Sequence, residues 1–391
     1  MDYTRQTLAF KIRKTVRYVR LYGIGRTWTK IAAQYHMKRV FPGQESLPVP
    51  AGKSLKHVGI IGCGKFAYAN IAYYVCKNYG DVIRGVMDAD LDKAISLGKR
   101  YQADYYTTDA EAVLTDPAVT LVYIASNHAS HTDYAIRAIQ NGKAVHIEKP
   151  HAVTEDQLVR LCNAMQRYTG RVRLGFNRPD STLGRLLSDH FARQTGPALI
   201  NWFVAGHQIE ADHWYFAELE GGRILGNLCH WIDFTMRLIP EEYRFPVQII
   251  PTRSGKSDCD ISVSYVFGDG SIGTITFSAK GHTFEGVRET MNAHRGNLLA
   301  SLTDFSALRL DIGERVIRRR LWFRDHGHQH SICTSYQMLK NPSVAESTKI
   351  VWESGYLTIK TKDALDTNRP VRVEGYNPTF GPVSPVSSNE P

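Results

Sequence analysis

Two glycines one residue apart, directly after a short apolar run, constrain this 391-residue chain more than any other feature. The run is Val58-Gly59-Ile60-Ile61, and Gly62-Cys63-Gly64-Lys65-Phe66-Ala67 follows it. A strand that turns into a helix this way presents free backbone N–H groups to an anion, because the first four helical amides lack intrahelical partners. Gly62 suits the tight turn, Gly64 a close backbone approach by a pyrophosphate, and Ala67 close packing of helix on strand. Asp88 closes a second apolar run 24 residues after Gly64. A carboxylate there accepts from both ribose hydroxyls and repels a 2′-phosphate, so the expected cofactor is NAD, with NADP disfavoured.

From residue 56 onward strand-like runs alternate with helical ones, which is the sequence form of a parallel sheet covered on both faces. The runs at 82–87, 121–125 and 144–147 are apolar enough for buried parallel strands. A helix over 132–140 stops at Asn141-Gly142, and Thr154-Glu155-Asp156-Gln157 reads as a capping box opening the next one. After about residue 195 the texture is strand-rich, with strands expected at 198–204, 247–250 and 261–267. Gly268-Asp269-Gly270 then reads as a hairpin turn into a return strand at 271–277. The segment 366–391 is read as a loose tail.

Charge is unevenly placed. Residues 1–50 hold ten lysines and arginines against Asp2 and Glu45, which is +8 of the chain's +10. This arm is helical in pattern, with Leu8, Ile12, Val16 and Val19 on one face. Gly23-Ile24-Gly25 breaks it, a second helix is expected from Trp28 to about Lys38, and a Pro- and Gly-rich linker follows through residue 55. So short a helix is marginal alone in water and must dock on something. The candidates are the chain's own domains, which we favour together with a neighbouring subunit, or peripherally an anionic membrane surface. No nucleic-acid motif is present in the arm, so nucleic acid is not expected. The six cysteines lack metal or redox spacing and read as reduced thiols, no secretory signal is evident at Met1, and the cytoplasm is the expected compartment.

In an open α/β sheet, ligands bind beyond the carboxyl ends of the strands. Two further segments reach that edge: Ala125-Ser126-Asn127-His128-Ala129-Ser130-His131 and Glu148-Lys149-Pro150. With Gly175-Phe176-Asn177-Arg178, they resemble the glucose-fructose oxidoreductase, inositol dehydrogenase and rhizopine-catabolism (Gfo/Idh/MocA) family over roughly residues 56–365. The resemblance implies an α/β fold: a Rossmann doubly wound parallel sheet over 56–175, followed at 176–365 by an α+β domain with a large open, mostly antiparallel sheet. It implies that Lys149 is the reactive lysine between nicotinamide and substrate, and that Glu148 and Pro150 shape the cofactor pocket. The cofactor site would comprise Gly62, Gly64, Lys65, Phe66, Asp88, Ser126, Asn127, His131, Glu148, Lys149, Pro150 and Arg178.

The stretch from Gly221 to Asp233 resembles the family's catalytic helix, with His230 in the histidine position. The family commonly has an aspartate four residues earlier, where this chain has Gly226, followed by Asn227. The implied function is hydride transfer between nicotinamide and a hydroxyl-bearing carbon of a sugar, cyclitol or nucleotide-sugar, in a homo-oligomer such as a dimer or tetramer. The departure at Gly226 and Asn227 leaves open a dinucleotide-binding sensor or partner subunit without dehydrogenase activity. Asp325-His326-Gly327-His328-Gln329-His330 alternates histidines, but one short loop supplies no further ligand, so no metal is expected. Asp212-His213-Trp214-Tyr215 reads equally as a ligand contact or as loop structure.

Overall fold

The computed structural model describes residues 3–52, 54–206, 209–210, 212–254, 260–281 and 284–375. Two arm helices come first, α1 (Leu8–Tyr22) and α2 (Ile24–His36), joined at Gly23, whose φ of 79° favours glycine. The second helix therefore starts four residues before the expected Trp28, because a single left-handed residue is enough to turn the chain.

A six-stranded parallel sheet follows. Its elements are β1 (Val58–Ile61), α3 (Ala72–Tyr79), β2 (Ile83–Met87), α4 (Leu91–Tyr101), β3 (Tyr105–Thr107), α5 (Ala110–Leu114), β4 (Leu121–Ile124), α6 (His131–Gln140), β5 (Ala144–Ile147), α7 (Glu155–Arg167) and β6 (Val172–Leu174). The order β3-β2-β1-β4-β5-β6 reverses direction between β1 and β4, which opens a crevice at the carboxyl ends of those strands. All four residues of β1, β4 and β5 are buried, as strands covered on both faces require. The capping box is half formed. Thr154 Oγ1 accepts from the Gln157 N–H, but the Gln157 side chain accepts from Val153 rather than Thr154.

The second sheet has nine strands. Helix α8 (Thr182–Ala192) leads to β7 (Ala198–Ala205), then α9 (Cys229–Leu238), β8 (Val247–Arg253), β9 (Ile261–Val266), β10 (Ile272–Ser278), β11 (Arg288–Arg295), β12 (Leu298–Thr303), β13 (Ala307–Ile312) and β14 (Arg315–Arg320). After α10 (His328–Gln337) and α11 (Thr348–Thr367), β15 (Val371–Val373) completes the sheet. The order is β14-β13-β12-β11-β7-β10-β9-β8-β15, antiparallel except where β7 meets β10. Burial alternates strictly along β7 and β8, so one face packs on α8, α9 and α11 while the other stays open.

Two details differ from expectation. Of the expected tail, Asp366 and Thr367 end α11, 371–373 pair with β8, and 376–391 lie outside the described residues. Helix α10 leaves the second domain's core and packs on the first sheet, where the Tyr123 hydroxyl donates to Ile332 O and Ile332 joins the cluster around Val58 and Ile60.

Gly62 and Gly64 play different parts in the turn. Gly62 has φ 89°, and a Cβ there would lie 2.4 Å from the Ala125 and Ser126 backbone, whereas a Cβ at Gly64 would meet nothing within 4 Å. Gly62→Ala is therefore expected to lower stability by more than about 1 kcal/mol. Gly64→Ala should leave the thermal midpoint nearly unchanged, as thermal unfolding of the two variants will show.

Candidate active site

Gly64 opens onto empty space above the amides that begin the site helix, which starts at Lys65 and is π-helical over Ala67–Ile71 before it becomes α3. A Cβ would occupy that space, so the cradle fits a dinucleotide's pyrophosphate. Asp88 holds the turn shut. Its Oδ2 accepts from the Cys63 N–H at 2.7 Å and its Oδ1 from the Asp90 N–H at 2.9 Å, which leaves lone pairs for ribose hydroxyls. Lys65 is exposed and Phe66 half-buried at the helix start, with the His328 ring edge-on to Phe66 at 5.5 Å.

The loops beyond β4 and β5 are cross-tied. His131 is buried, with Nδ1 2.8 Å from Pro150 O and Nε2 3.1 Å from Ser126 O, so it holds the two loops together. Ser126 Oγ pairs with Ser130 Oγ at 2.7 Å. Glu148 is buried beneath, 2.7 Å from where a Cβ on Gly175 would stand, and its Oε1 is 3.1 Å from His146 Nε2. Glu220, which the sequence reading did not single out, reaches across from the second domain. Its carboxylate accepts from Asn127 Nδ2 at 2.7 Å and from the His128 N–H at 2.8 Å. The side chains of Ser126, Asn127, His131 and Glu148 are thus engaged with protein.

Lys149 crosses the crevice, and its Nζ donates to Gly226 O at 2.7 Å. Desolvation alone would lower its pKa, but Tyr215, Cys229 and Glu148 outweigh that and the net shift is upward, so it stands as an ammonium. Gly226 lies in a π-helical turn, Ile224–Leu228, ahead of α9. His230 on α9 is buried, and its Nδ1 has no hydrogen-bond partner. Burial first, then Arg178 and Lys149, drives its pKa well below the ordinary value, so the imidazole is neutral.

The missing aspartate has a structural counterpart. A Cβ at Gly226 would stand 2.6 Å from the Tyr215 ring and 2.9 Å from His128 Cε1, so those two rings fill the space a side chain would need. The segment 212–215, read evenly from sequence, is therefore part of the site wall, with Lys149 Nζ 6.0 Å from the Tyr215 ring centre.

Arg178 faces Glu289 on β11. Its Nε donates to Glu289 Oε2 at 3.1 Å and its Nη2 to Oε1 at 3.3 Å, while the guanidinium stacks 4.8 Å from the Trp231 ring centre. Trp231 Nε1 donates to the same Oε2 at 2.6 Å, and His326 Nε2 lies 3.2 Å from Oε1. Burial alone would raise the Glu289 pKa, but Arg178 and His326 hold it at about 2. Two of the three alternating histidines thus face the site, His326 beside this carboxylate and His328 on Phe66, while His330 is exposed. Among the described residues no group of three or more His, Cys, Asp or Glu could hold a metal ion, and Cys63, Cys76, Cys162, Cys229 and Cys333 are free thiols. Cys259 lies outside the described residues.

Removing the Glu289 charge leaves Arg178 buried without its counter-ion, a change that typically costs about 3–5 kcal/mol. Glu289→Gln is therefore expected to lower the denaturation midpoint substantially. Because the folded pKa of about 2 lies below the ordinary 4.5, the stabilisation is present above 4.5 and lost as pH falls toward 2. The gap between wild type and Glu289→Gln should accordingly close over that window, as midpoints measured across it will show.

Comparison with known proteins agrees with this geometry. Residues 56–176 match the family model described as an oxidoreductase family with an NAD-binding Rossmann fold. An oxidoreductase from Formosa agariphila is 35% identical over 114 residues, 29% of this chain and 36% of the relative. An inositol 2-dehydrogenase from Burkholderia ambifaria is 32% identical over 201 residues, 50% of this chain and 58% of the relative. The chain thus spans between about a third and three-fifths of the length of these curated relatives. Levoglucosan dehydrogenase in complex with NADH and levoglucosan superposes with a TM-score of 0.69 at 16% identity, covering 81% of this chain and 99% of that one, which is a likeness of fold. The glycine turn, the ordered strand edge and the matched sequence of residues 56–176 make this part of the chain similar to the NAD-binding Rossmann domain of the Gfo/Idh/MocA oxidoreductase family.

Proposed function

We propose that this chain is an NAD-dependent dehydrogenase or reductase acting on a hydroxyl-bearing carbon of a sugar, cyclitol or nucleotide-sugar. The observation that carries the reading is that Lys149, which follows β5 of the sheet whose β1 ends at the open Gly64 cradle, donates to the carbonyl of Gly226 in the turn leading into the helix of the buried His230. The inositol dehydrogenases that match half of this chain support a polyhydroxylated substrate. NAD, when bound, supplies the hydride acceptor or donor. The protein's task is to hold the substrate oxygen and manage one proton.

Lys149 is suited to that proton. As an ammonium it donates to a substrate oxygen in the reducing direction, and a positive nicotinamide nearby favours the amine needed for oxidation. His230 supplies the second contact to that oxygen. With Gly226 at the aspartate position its ring gains no carboxylate from there, so it orients more than it exchanges protons. A dinucleotide-binding sensor is the second reading, favoured by Tyr215 and His128 filling the space beside Gly226.

We also propose self-association through the open face of the second sheet. Ile272, Leu199, His294 and Leu299 lie side by side across β10, β7, β11 and β12, and Leu199 and Leu299 are each more than half exposed. An exposed apolar row of this kind marks an interaction surface.

Lys149→Ala is expected to reduce turnover by about 10²- to 10⁴-fold, with NADH binding retained in a fluorescence titration. Equal rates would remove Lys149 from the mechanism, whereas NADH binding without turnover on a panel of cyclitols and sugars would move the reading to the sensor. NAD should bind more tightly than NADP, and Asp88→Asn should narrow the gap in dissociation constants. Asparagine is the better probe than alanine, because its carbonyl oxygen can still accept from one of the two N–H groups that Asp88 serves.

A further inference from the structure

The arm docks on its own chain through polar contacts and through Ala33, buried in the core around Val58 and Ile60. Arg17 pairs with Glu285, Lys14 Nζ donates to Phe284 O, the Arg324 N–H donates to Leu21 O at 2.8 Å, and Arg26 donates to Ala69 O and Asn70. His36 Nε2 donates to Cys63 O at 2.7 Å inside the glycine turn, while its Nδ1 accepts from Ser96 Oγ at 2.8 Å. These contacts fix both helices yet leave their apolar stripes outside. Helix α1 buries no residue fully, and Leu8 and Ile12 are 73% and 55% exposed. On α2, Ile24 and Trp28 are 77% and 73% exposed.

The two stripes flank one groove. Lys11 and Thr15 line it and lie one residue from the Leu8, Ile12 and Val16 stripe, and Tyr35 both lines it and continues the stripe of Ile24 and Trp28. The groove is a cavity of about 180 Å³ with mainly apolar walls, into which Lys14 and Lys30 also project. Desolvation lowers the pKa of Lys14 to about 8. Beside the hairpin turn, where the Phe323 ring packs on Gly23, Trp322 is 95% exposed.

We propose that the α1–α2 hairpin is a membrane-surface anchor, its exposed apolar face lying in the interface of an anionic bilayer and its groove lysines meeting lipid headgroups. Charge selects this occupant. The first 50 residues hold ten lysines and arginines against two acids, and the edge strand β14 adds Arg315, Arg318, Arg319 and Arg320 just before Trp322. A second copy using the same face would oppose one such surface to another, and like charges across an interface are repulsive. An anionic bilayer is complementary to them, and each near-surface lysine or arginine adds to its attraction. No helix among the described residues is long and apolar enough to cross a membrane, so the hairpin lies in the plane of the surface.

The test uses the full chain, sedimented with vesicles of phosphatidylglycerol and phosphatidylcholine or of phosphatidylcholine alone. Binding to the anionic vesicles is expected to exceed binding to the neutral ones by at least about tenfold and to weaken with added salt. The variant Ile12→Glu/Trp28→Glu, altered only at exposed positions, should lose that binding while keeping its thermal midpoint and its affinity for NADH. The inference is overturned if the wild type stays in the supernatant, or if the variant sediments as well as the wild type. It is equally overturned if light scattering shows that the substitutions split a dimer whose wild type ignores vesicles.

Discussion

The Glu289 carboxylate is sealed from solvent, and side chains from three distant parts of the chain converge on it, Arg178 and Trp231 as donors and the His326 ring beside them. Arg178 comes from the end of the first sheet, Trp231 from the helix that carries His230, and His326 from the segment that returns to the Rossmann half. An unpaired charge in such a place is expensive, so each donor is held where the carboxylate needs it. The relative placement of β6, α9 and α10 follows, and with it the position of His230 beside the strand edge.

Across the crevice two further contacts set its geometry. Lys149 reaches the Gly226 carbonyl in one direction, and Glu220 takes Asn127 and the His128 amide in the other. Most of the polar groups at this edge therefore bind protein and serve as scaffold, which leaves the few that remain unpartnered to meet a ligand. Burial then tunes them. His230 is kept neutral by desolvation and by neighbouring cations, while Lys149 keeps its proton because nearby acidic groups outweigh its desolvation.

The arm joins both halves of this arrangement. Through His36 it touches the glycine turn, and through Arg17 it meets Glu285, which also pairs with Arg288 and Arg324. It docks on the body through these polar contacts and through Ala33, which joins the core around Val58 and Ile60, while Leu8, Ile12, Ile24 and Trp28 remain turned outward.

What the sequence determined by itself was local. The strand, turn and helix around Gly62 follow from steric rules acting within a few residues, and β1 and β5 were legible to the residue because buried parallel strands are short continuous apolar runs. Lys149 and His230 were proposed from motifs that are contiguous in the chain. Glu220 and Glu289 were not, because Glu220 acts on partners 92 and 93 residues away and Glu289 on Arg178 111 residues away, and no local pattern distinguishes a buried ionised carboxylate from an exposed one. Only the tertiary structure decided that Gly226 is small because Tyr215 and His128 occupy its space, and that His326 and His328 face the site. It also decided that α10 packs on the first sheet and that the arm turns its apolar face outward. Periodicity shows that a helix has an apolar face, but which surface covers that face depends on contacts the chain makes only once it has folded.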